Sequence, residues 1–303
     1  MLPTAATLFE KLPRTLRRHR LMTGWMGLTG ESPIQLVRIR DDIFAYADMS
    51  DGFLRLIVID GEFDEDFFIV ADALLSEGGV FLDVGANFGL LSFGLAGRHG
   101  RKIEFHLFEP NLTLVETIRR SLARFPDMHC TLNPVAVSEK PGRVSFTINA
   151  KQTGASHISV AGESGVGVPT ITLDDYVAEN GILRIDLLKL DVEGYELSTL
   201  RGAKDALRTG VIQAIYFEYF EKLLIRVCEP GELIAFLDSV DFVTCFCRPC
   251  DYNPRGGPTH TFAQGVCGHG LKLLPVEGFT RPPMTDLLAV PRDHLAPLDR
   301  FLS

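Results

Sequence analysis

Apolar and polar positions follow two different rhythms along the chain, and their order predicts its architecture. After residue 79, short apolar runs alternate with segments such as EGYELSTLRGAKDAL, whose apolar residues have the spacing of an amphipathic helix. The runs VFLDV, IEFHLFE, RIDLLKLDV and VIQAIYFEY are apolar almost throughout, which indicates strands buried on both faces of a parallel sheet. The pattern predicts an α/β fold with a doubly wound, mostly parallel, seven-stranded sheet.

The first 61 residues follow a different pattern. Residues 1–30 have helical character, and IQLVRIRDDIFAYADMSDGFLRLIVID alternates apolar and polar residues around a DG turn, which predicts short antiparallel strands. We therefore expect an N-terminal α/β appendage over residues 1–61 and a main domain over residues 62–303. The appendage is also where we expect a homo-oligomer to form.

Four further segments lie between or after these runs. HCTLNPVAV predicts a single strand, and GRVSFTI predicts an inserted edge strand. Residues 149–169 are rich in glycine and serine and are too long for a turn, which is typical of a lid or binding loop. Residues 251–284 read as a loop-rich insertion before the last strand, DLLAV.

Composition and charge narrow the classes of partner. Hydrophobic residues make up 46% of the chain and charged residues 23%, the balance of a globular protein. A net charge of -9 disfavours a nucleic-acid partner, although the basic run at residues 11–20 fits either an anionic surface or a solvated helix face. No apolar stretch reaches the ~20 residues of a membrane span, and the N-terminus lacks a secretory pattern, so a cytoplasmic location is expected.

Cysteines and histidines cluster towards the C-terminal end: Cys245, Cys247, Cys250, His260, Cys267 and His269. A zinc site usually needs two paired hooks, and only Cys247 with Cys250 has that spacing. Strand alternation also explains why Cys245 and Cys247 share a face. We expect free thiols without a metal.

The stretch FLDVGANFG, residues 81–89, places an acid two residues before a glycine turn. Gly85 and Gly89 do not have the spacing of a dinucleotide-binding fingerprint. A pyrophosphate near Asp83 would meet a like charge, a repulsion of ~4 kcal/mol in a partly desolvated cleft. The ammonium and sulfonium of S-adenosylmethionine reverse that sign. Glu109, at the end of the next strand, is placed to accept hydrogen bonds from ribose hydroxyls.

Six segments resemble, in chain order, the FkbM-type family of S-adenosylmethionine-dependent methyltransferases: FLDVGANFGLLS, FEPN, PVAVS, TLDDY, LLKLDVEGYELSTLRGA and LLAVP. The resemblance covers residues 62–292. It implies a Rossmann-like class I methyltransferase fold, S-adenosylmethionine as cofactor, and a small-molecule hydroxyl acceptor such as a sugar or polyketide. The implied cofactor-binding residues are Asp83, Gly85, Asn87, Phe88, Gly89, Glu109, Pro110, Asn111, Ala136, Ser138 and Asp191.

An alcohol acceptor must lose a proton, and the candidate catalytic residues are Asp191, Glu193, Glu218 and His157, with His260 as a further base. Asp191 and Glu193 precede a predicted helix, whose dipole is expected to stabilise both anions and lower their basicity. Glu218 ends the next strand and is expected to face the same cleft. Asp191 and Glu218 would alternatively share a divalent metal, but the sequence shows no third oxygen ligand, so no metal is predicted.

Two other classes of function compete with a small-molecule O-methyltransferase. A non-catalytic, methyltransferase-like binding module is disfavoured because Asp83 and Glu109 are both intact. Methylation of a nucleic acid or a protein is disfavoured by the acidic charge and by the absence of an aromatic and basic stripe.

Overall fold

The computed structural model describes residues 18–30, 32–40, 42–52, 54–55, 58, 64–229, 231–249, 271–275 and 284–293. Cys250, His260, Cys267 and His269 lie outside them. The described helices are α1 Arg18–Thr29, α2 Glu65–Leu75, α3 Leu90–His99, α4 Leu112–Leu122, α5 Leu173–Asn180, α6 Glu196–Arg201, α7 Lys204–Arg208, α8 Glu221–Leu224 and α9 Glu232–Ser239. The described strands are β1 Ile34–Arg40, β2 Ile43–Asp48, β3 Gly79–Val84, β4 Ile103–Phe108, β5 His129–Asn133, β6 Ala136–Val137, β7 Gly142–Thr147, β8 His157–Ile158, β9 Val166–Ile171, β10 Leu187–Leu190, β11 Ile215–Phe220, β12 Phe242–Pro249, β13 Leu271–Pro275 and β14 Met284–Pro291.

The described residues form a central sheet of eight strands in the order β13-β12-β14-β11-β10-β3-β4-β5. The five strands from β11 to β5 are parallel, whereas β14, β12 and β13 are antiparallel. The α/β class is confirmed. The predicted count of seven strands is wrong, because β13 lies in the stretch that the sequence analysis assigned to loop.

Helices cover both faces of this sheet. Phe67 and Phe93, from α2 and α3, pack in one hydrophobic core against Phe81 of β3. Leu82, the residue after Phe81, belongs to a second core on the opposite face of the sheet, together with Leu197 of α6. Successive residues of β3 thus point into different cores, which is why the strand reads as a continuous apolar run.

The segment between β5 and α5 forms a separate small sheet. Four of the described strands pair in the order β6-β9-β7-β8. HCTLNPVAV is therefore two strands, β5 and β6, in different sheets, and GRVSFTI is not an edge of the central sheet. The short β8 lies inside the segment that was expected to be a loop.

The N-terminal hairpin, β1 with β2, shares a core with the main domain. Val37 and Ala45 are completely buried and belong to the same core as Phe93. The predicted antiparallel strands are present as β1 and β2, but the predicted DG turn does not join them: β1 ends at Arg40, β2 begins at Ile43, and the DG pair lies after β2, at residues 51–52.

EGYELSTLRGAKDAL forms two short helices, α6 and α7, instead of one. The break falls at Gly202, where a Cβ atom would lie 2.2 Å from the Ser138 carbonyl oxygen. The chain therefore needs a glycine where it passes β6.

Candidate active site

The parallel strands end at one edge of the sheet, and two pockets open there among the described residues. We call them the narrow pocket and the wide cleft. The narrow pocket has about 570 Å³ of space, which includes open solvent at its mouth, and is lined by Val84, Gly85, Asn87, Phe108, Glu109, Pro110, Val135, Ala136, Val137, Phe146, Thr153, Gly154, Ser156, Ile158, Asp191, Val192 and Glu193. The wide cleft encloses about 2040 Å³ up to its mouth and is lined by Asp51, Leu54, Asp64, Asp66, Asp83, Ala86, Asn87, Phe88, Leu90, Leu91, Gln152, Gly154, Ala155, Lys189, Leu190, Asp191, Glu193, Tyr216, Glu218, Phe220, Leu223 and Asp286. Both pockets share Asn87, Gly154, Asp191 and Glu193 as walls.

The glycine turn after β3 packs tightly against the end of β10. Gly85 has a φ of +81°, and a Cβ atom there would lie 1.8 Å from the Asp191 carbonyl oxygen. Asn87 also adopts a positive φ, 52°. Gly85 therefore lets the turn approach the neighbouring strand, which brings Asn87 and Asp191 to the same wall.

Glu109 fixes the glycine turn from the next strand. Its side chain is 5% exposed, and its two carboxylate oxygens accept hydrogen bonds from the backbone N–H groups of Asn87 at 2.9 Å and Asn111 at 2.8 Å. Burial raises the pKa of Glu109 to about 7, against the lowering effect of these two bonds. Each oxygen retains a second lone pair for a further donor.

Lys189 is a buried cation that the sequence analysis did not assign. Its Nζ atom lies 3.3 Å from Asp83 Oδ1 and 3.4 Å from Asp191 Oδ2, and it donates to the Gly85 carbonyl at 2.8 Å. Asp83, 1% exposed, also accepts a hydrogen bond from Ser92 at 2.6 Å. The available signal was a lysine within the otherwise apolar strand LLKL, because a buried lysine requires acidic partners.

The acids near the ends of β10 and β11 lie close together. Asp191, Glu193 and Glu218 each offer a carboxylate oxygen, and these oxygens lie within 4.8 Å of one another. Glu193 thus supplies the third oxygen that the sequence analysis lacked when it weighed a divalent metal at Asp191 and Glu218. This spacing suits a hard cation, and it equally brings three like charges together.

Burial and the neighbouring carboxylates raise the pKa of Glu193 to about 9 and that of Glu218 to about 8. The expectation that a helix dipole lowers the basicity of Glu193 is wrong. The helix begins only at Glu196, whose side chain accepts the Val192 and Gly194 N–H groups at 3.2 and 3.1 Å. Desolvation of Glu193 outweighs the effect of this six-residue helix.

Four of the residues predicted for the site do not line either pocket: Gly89, Asn111, Ser138 and His157. Asn111 caps α4 by accepting the Thr113 N–H at 3.1 Å, and Gly89 precedes α3 with a φ of 70°. The Ser138 hydroxyl lies 3.2 Å from that of Ser198.

Both ring nitrogens of His157 have partners other than the acids of the wide cleft. Nδ1 lies 3.1 Å from the Ala155 carbonyl, and Nε2 lies 2.9 Å from Glu163. Arg226 forms an ion pair with the same glutamate. His157 therefore joins a surface network and is not brought to the acids of the wide cleft.

The glycine- and serine-rich segment reaches the place where the two pockets meet. Its short 3-10 turn, Thr153–Ala155, contributes walls to both pockets. The Thr153 N–H and hydroxyl both lie within hydrogen-bonding distance of the Asp51 carboxylate.

The cysteine cluster is described only in part. Cys245 is buried and free, and burial raises the pKa of its thiol to about 11. Cys250, Cys267 and the histidines of the cluster fall outside the described residues, so the expectation of a metal-free cluster stays a prediction.

None of the helices in the described part of the chain is long and apolar enough to cross a membrane. The strand order, the glycine turn and the pocket beside Glu109 define an α/β protein of the nucleotide-cofactor-binding class. A family model, the methyltransferase FkbM domain, matches residues 83–244, which is more than half of the chain. The chain belongs to this family of methyltransferases, as its motifs predicted, and the family implies a methyl donor of the S-adenosylmethionine type.

Two curated relatives carry specific names. The 2-O-methyltransferase NoeI of Sinorhizobium fredii is 28% identical over 187 residues, which are 56% of this chain and 75% of the relative. The hexuronic acid methyltransferase AglP of Haloferax volcanii is 28% identical over 133 residues, which are 44% of this chain and 53% of the relative.

Among solved structures, the methyltransferase FkbM of Methylobacillus flagellatus is similar at 15% identity and a TM-score of 0.44. The match covers 81% of this chain and 56% of that protein. This chain therefore spans little more than half the length of AglP and of the Methylobacillus protein.

Proposed function

We propose that the protein is an S-adenosylmethionine-dependent O-methyltransferase whose acceptor is a hydroxyl group of a small, sugar-like molecule. The observation that carries the proposal is the meeting of two pockets at Asn87, Asp191 and Glu193. A group transfer between two molecules requires two binding sites that share a boundary. The relatives named as a 2-O-methyltransferase and a hexuronic acid methyltransferase support a sugar-like acceptor.

The narrow pocket has the walls that an adenosine requires. Its apolar side is formed by Phe108, Ala136, Phe146 and Ile158, which suit the flat face of a base. Glu109 lines the same pocket and has free lone pairs for ribose hydroxyls. The residues present therefore fit the nucleoside part of the cofactor.

The cationic part of the cofactor fits the boundary between the pockets. Lys189 offsets only one of the two charges of Asp83 and Asp191, so net negative charge remains at this wall. S-adenosylmethionine, when bound, supplies a methyl group already activated by its sulfonium. The chain's own residues then have to orient the acceptor, exclude water and remove a proton.

We assign the proton removal to Glu218 or Glu193. Both line the wide cleft, and a pKa of about 8 for Glu218 lies closer to neutral pH than that of an ordinary carboxylate. A base whose pKa lies near the working pH combines a usable unprotonated fraction with useful strength. His157 does not line this cleft, and its ring nitrogens are bonded to the Ala155 carbonyl and to Glu163, so we do not propose it as the base.

Calorimetry with S-adenosylmethionine, S-adenosylhomocysteine and NAD tests the cofactor, and transfer of an isotopically labelled methyl group to a panel of methyl glycosides tests the reaction. We expect both adenosyl compounds to bind and NAD not to bind. Labelled product that survives base treatment would exclude a methyl ester and support an ether. Binding of NAD alone would overturn the proposal.

A further inference from the structure

The wide cleft contains far more acids than cations. Lys189 is the only lysine, arginine or histidine among its lining residues in the described part of the chain. Its charge is already shared between Asp83 and Asp191. The acids beyond that triad therefore determine which charge an acceptor can carry.

Glu218 and Asp286 face each other across the antiparallel pair of β11 and β14. Like charges in directly opposed positions of a sheet destabilise it, so this pair is costly unless a ligand compensates it. No basic side chain among the described residues lies within 4.0 Å of either carboxylate. Both acids line the wide cleft.

Asp64 extends this acidic wall from the start of α2. Its carboxyl group accepts hydrogen bonds from two neutral donors, the Phe67 N–H at 3.0 Å and the Tyr216 hydroxyl at 3.2 Å, and burial raises its pKa. Burial first, and then nearby carboxylates that include Asp64, raise the pKa of Glu218 to about 8 and that of Asp286 well above its ordinary value. The described residues of this wall therefore include more acidic groups than basic groups.

From this arrangement we infer that the acceptor is a neutral or amino-bearing hydroxyl compound and that the cleft rejects an anionic sugar such as a uronate. The inference rests on the proposed function and specifies its substrate class. A cofactor with a net charge of +1 leaves the acidic wall with more carboxylates than cations. A uronate would meet carboxyl groups that already resist ionisation and would find no unpaired cation among the described walls of the cleft, whereas an ammonium group would favour the ionised forms of Glu218 and Asp286.

The apolar residues of the cleft explain how such an acceptor would be held. Phe220 and Leu223, both partly exposed, offer surfaces for the apolar face of a sugar ring, while carboxylates accept hydrogen bonds from its hydroxyl groups. This combination recognises hydroxyl groups without requiring an anion. The expected acceptor therefore differs from the hexuronic acid that appears in the name of the relative AglP.

The test compares the methyl glycosides of glucose, glucuronic acid and glucosamine, each with the protein saturated with S-adenosylhomocysteine. Affinities are measured by calorimetry, and kcat/KM is measured with S-adenosylmethionine, first with a chelator and then with Mg²⁺. We expect the glucuronide to bind at least 10-fold more weakly than the glucoside, and the glucosaminide at least as tightly. Asp286→Asn should narrow the ratio between glucuronide and glucoside, and exposed Asp127→Asn should not.

The contrary results distinguish failure of this inference from failure of the proposed function. Equal or tighter binding of the glucuronide, with or without Mg²⁺, overturns the inference. If none of the three glycosides binds while S-adenosylhomocysteine does, the sugar-sized acceptor is wrong and the inference falls with it. If S-adenosylhomocysteine itself fails to bind, the proposed function is overturned.

Discussion

Asp51 holds Thr153 by two hydrogen bonds, although the residues are 102 positions apart in the chain. One oxygen of the buried Asp51 carboxylate accepts the Thr153 N–H at 2.6 Å and its hydroxyl at 2.8 Å, and the other accepts the Leu54 N–H at 2.9 Å. The Thr153 hydroxyl also lies 3.1 Å from the side-chain oxygen of Asn87. The segment after the N-terminal hairpin is thereby connected to the turn that lines both pockets.

Asp51→Asn should weaken S-adenosylhomocysteine binding about 10-fold. The amide removes the negative charge from two charge-assisted hydrogen bonds, each worth about 1.5 to 3 kcal/mol when intact, so the turn loses part of its restraint. Calorimetry measures the affinity, and hydrogen exchange should show faster exchange in residues 149–158. Asp127→Asn, at an exposed ion pair with Arg101, is the matched control. Unchanged affinity and exchange in Asp51→Asn would show that the turn does not depend on this connection.

Gly85→Ala should destabilise the protein and strongly reduce cofactor affinity. The new Cβ atom would lie 1.8 Å from the Asp191 carbonyl oxygen, so the turn or β10 must move, and the movement displaces Asp191 from the shared wall. Thermal unfolding and calorimetry with S-adenosylhomocysteine measure the two effects.

Gly100→Ala separates this clash from backbone strain. Gly100 also has a positive φ, +59°, but nothing lies within 4 Å of its hypothetical Cβ atom. Its substitution should cost about 1 to 3 kcal/mol of conformational strain and leave the cofactor affinity unchanged. Equal losses of affinity in both variants would refute the role assigned to the Gly85 contact.

The sequence predicted the parts of the site that are set by single strands. Asp83 and Glu109 were found because an acid after an apolar run must lie at a strand end, and the fold places those ends together. Lys189 was missed because its role depends on acids from two strands, and Asp51 because its partner is distant in the chain. The raised pKa of Glu193 depends on burial and on neighbours that only the folded chain brings together.

The fold, too, was predictable where it depends on local sequence and not where it depends on pairing between distant strands. The local pattern was enough to predict the parallel strands and the antiparallel strands β1 and β2, but it misplaced the turn between β1 and β2. The eighth strand, β13, was missed because a five-residue run next to glycine- and proline-rich sequence looks like loop until it pairs with β12. β5 pairs with β4 in the central sheet, whereas β6 pairs with β9 in the small sheet. The local sequence pattern does not reveal that these two strands belong to different sheets.

Glu109→Gln should weaken binding of S-adenosylhomocysteine by about 1.5 to 3 kcal/mol. The two carboxylate oxygens face two N–H donors, and replacing one oxygen by an amide nitrogen places donor against donor. The exposed substitution Glu116→Gln is the control. An affinity equal to that of the wild type would show that Glu109 is not needed to hold the turn or the ribose.

Glu218→Gln and Glu193→Gln should bind the cofactor within a few-fold of the wild-type affinity but transfer the methyl group much more slowly. Loss of a general base typically costs about 100-fold to 10,000-fold in rate, and the residue that acts as base should show the larger loss. Single-turnover kinetics with an identified acceptor measures this loss, and calorimetry measures cofactor binding. Full turnover in both variants would exclude both glutamates as the base.

The protein should become less stable as the pH rises from 6 to 9, and Glu193 should contribute to that loss. Its pKa is about 9 in the folded chain, against an ordinary value of 4.5, so the folded state retains a proton that the unfolded state releases. A raised carboxyl pKa gives stabilisation that is complete below the unfolded value and lost as the pH approaches the folded value. Glu193→Gln cannot ionise and should lose less stability over this range.

Thermal unfolding at pH 6, 7, 8 and 9, with a chelator present to exclude bound cations, measures this difference. Glu218→Gln should behave similarly with a smaller effect, because the pKa of Glu218 is raised only to about 8. Glu116→Gln, whose side chain is exposed, should follow the wild-type curve. If Glu193→Gln shows the same pH slope as the wild type, Glu193 is already ionised in the folded protein at neutral pH, and its pKa is not raised to about 9.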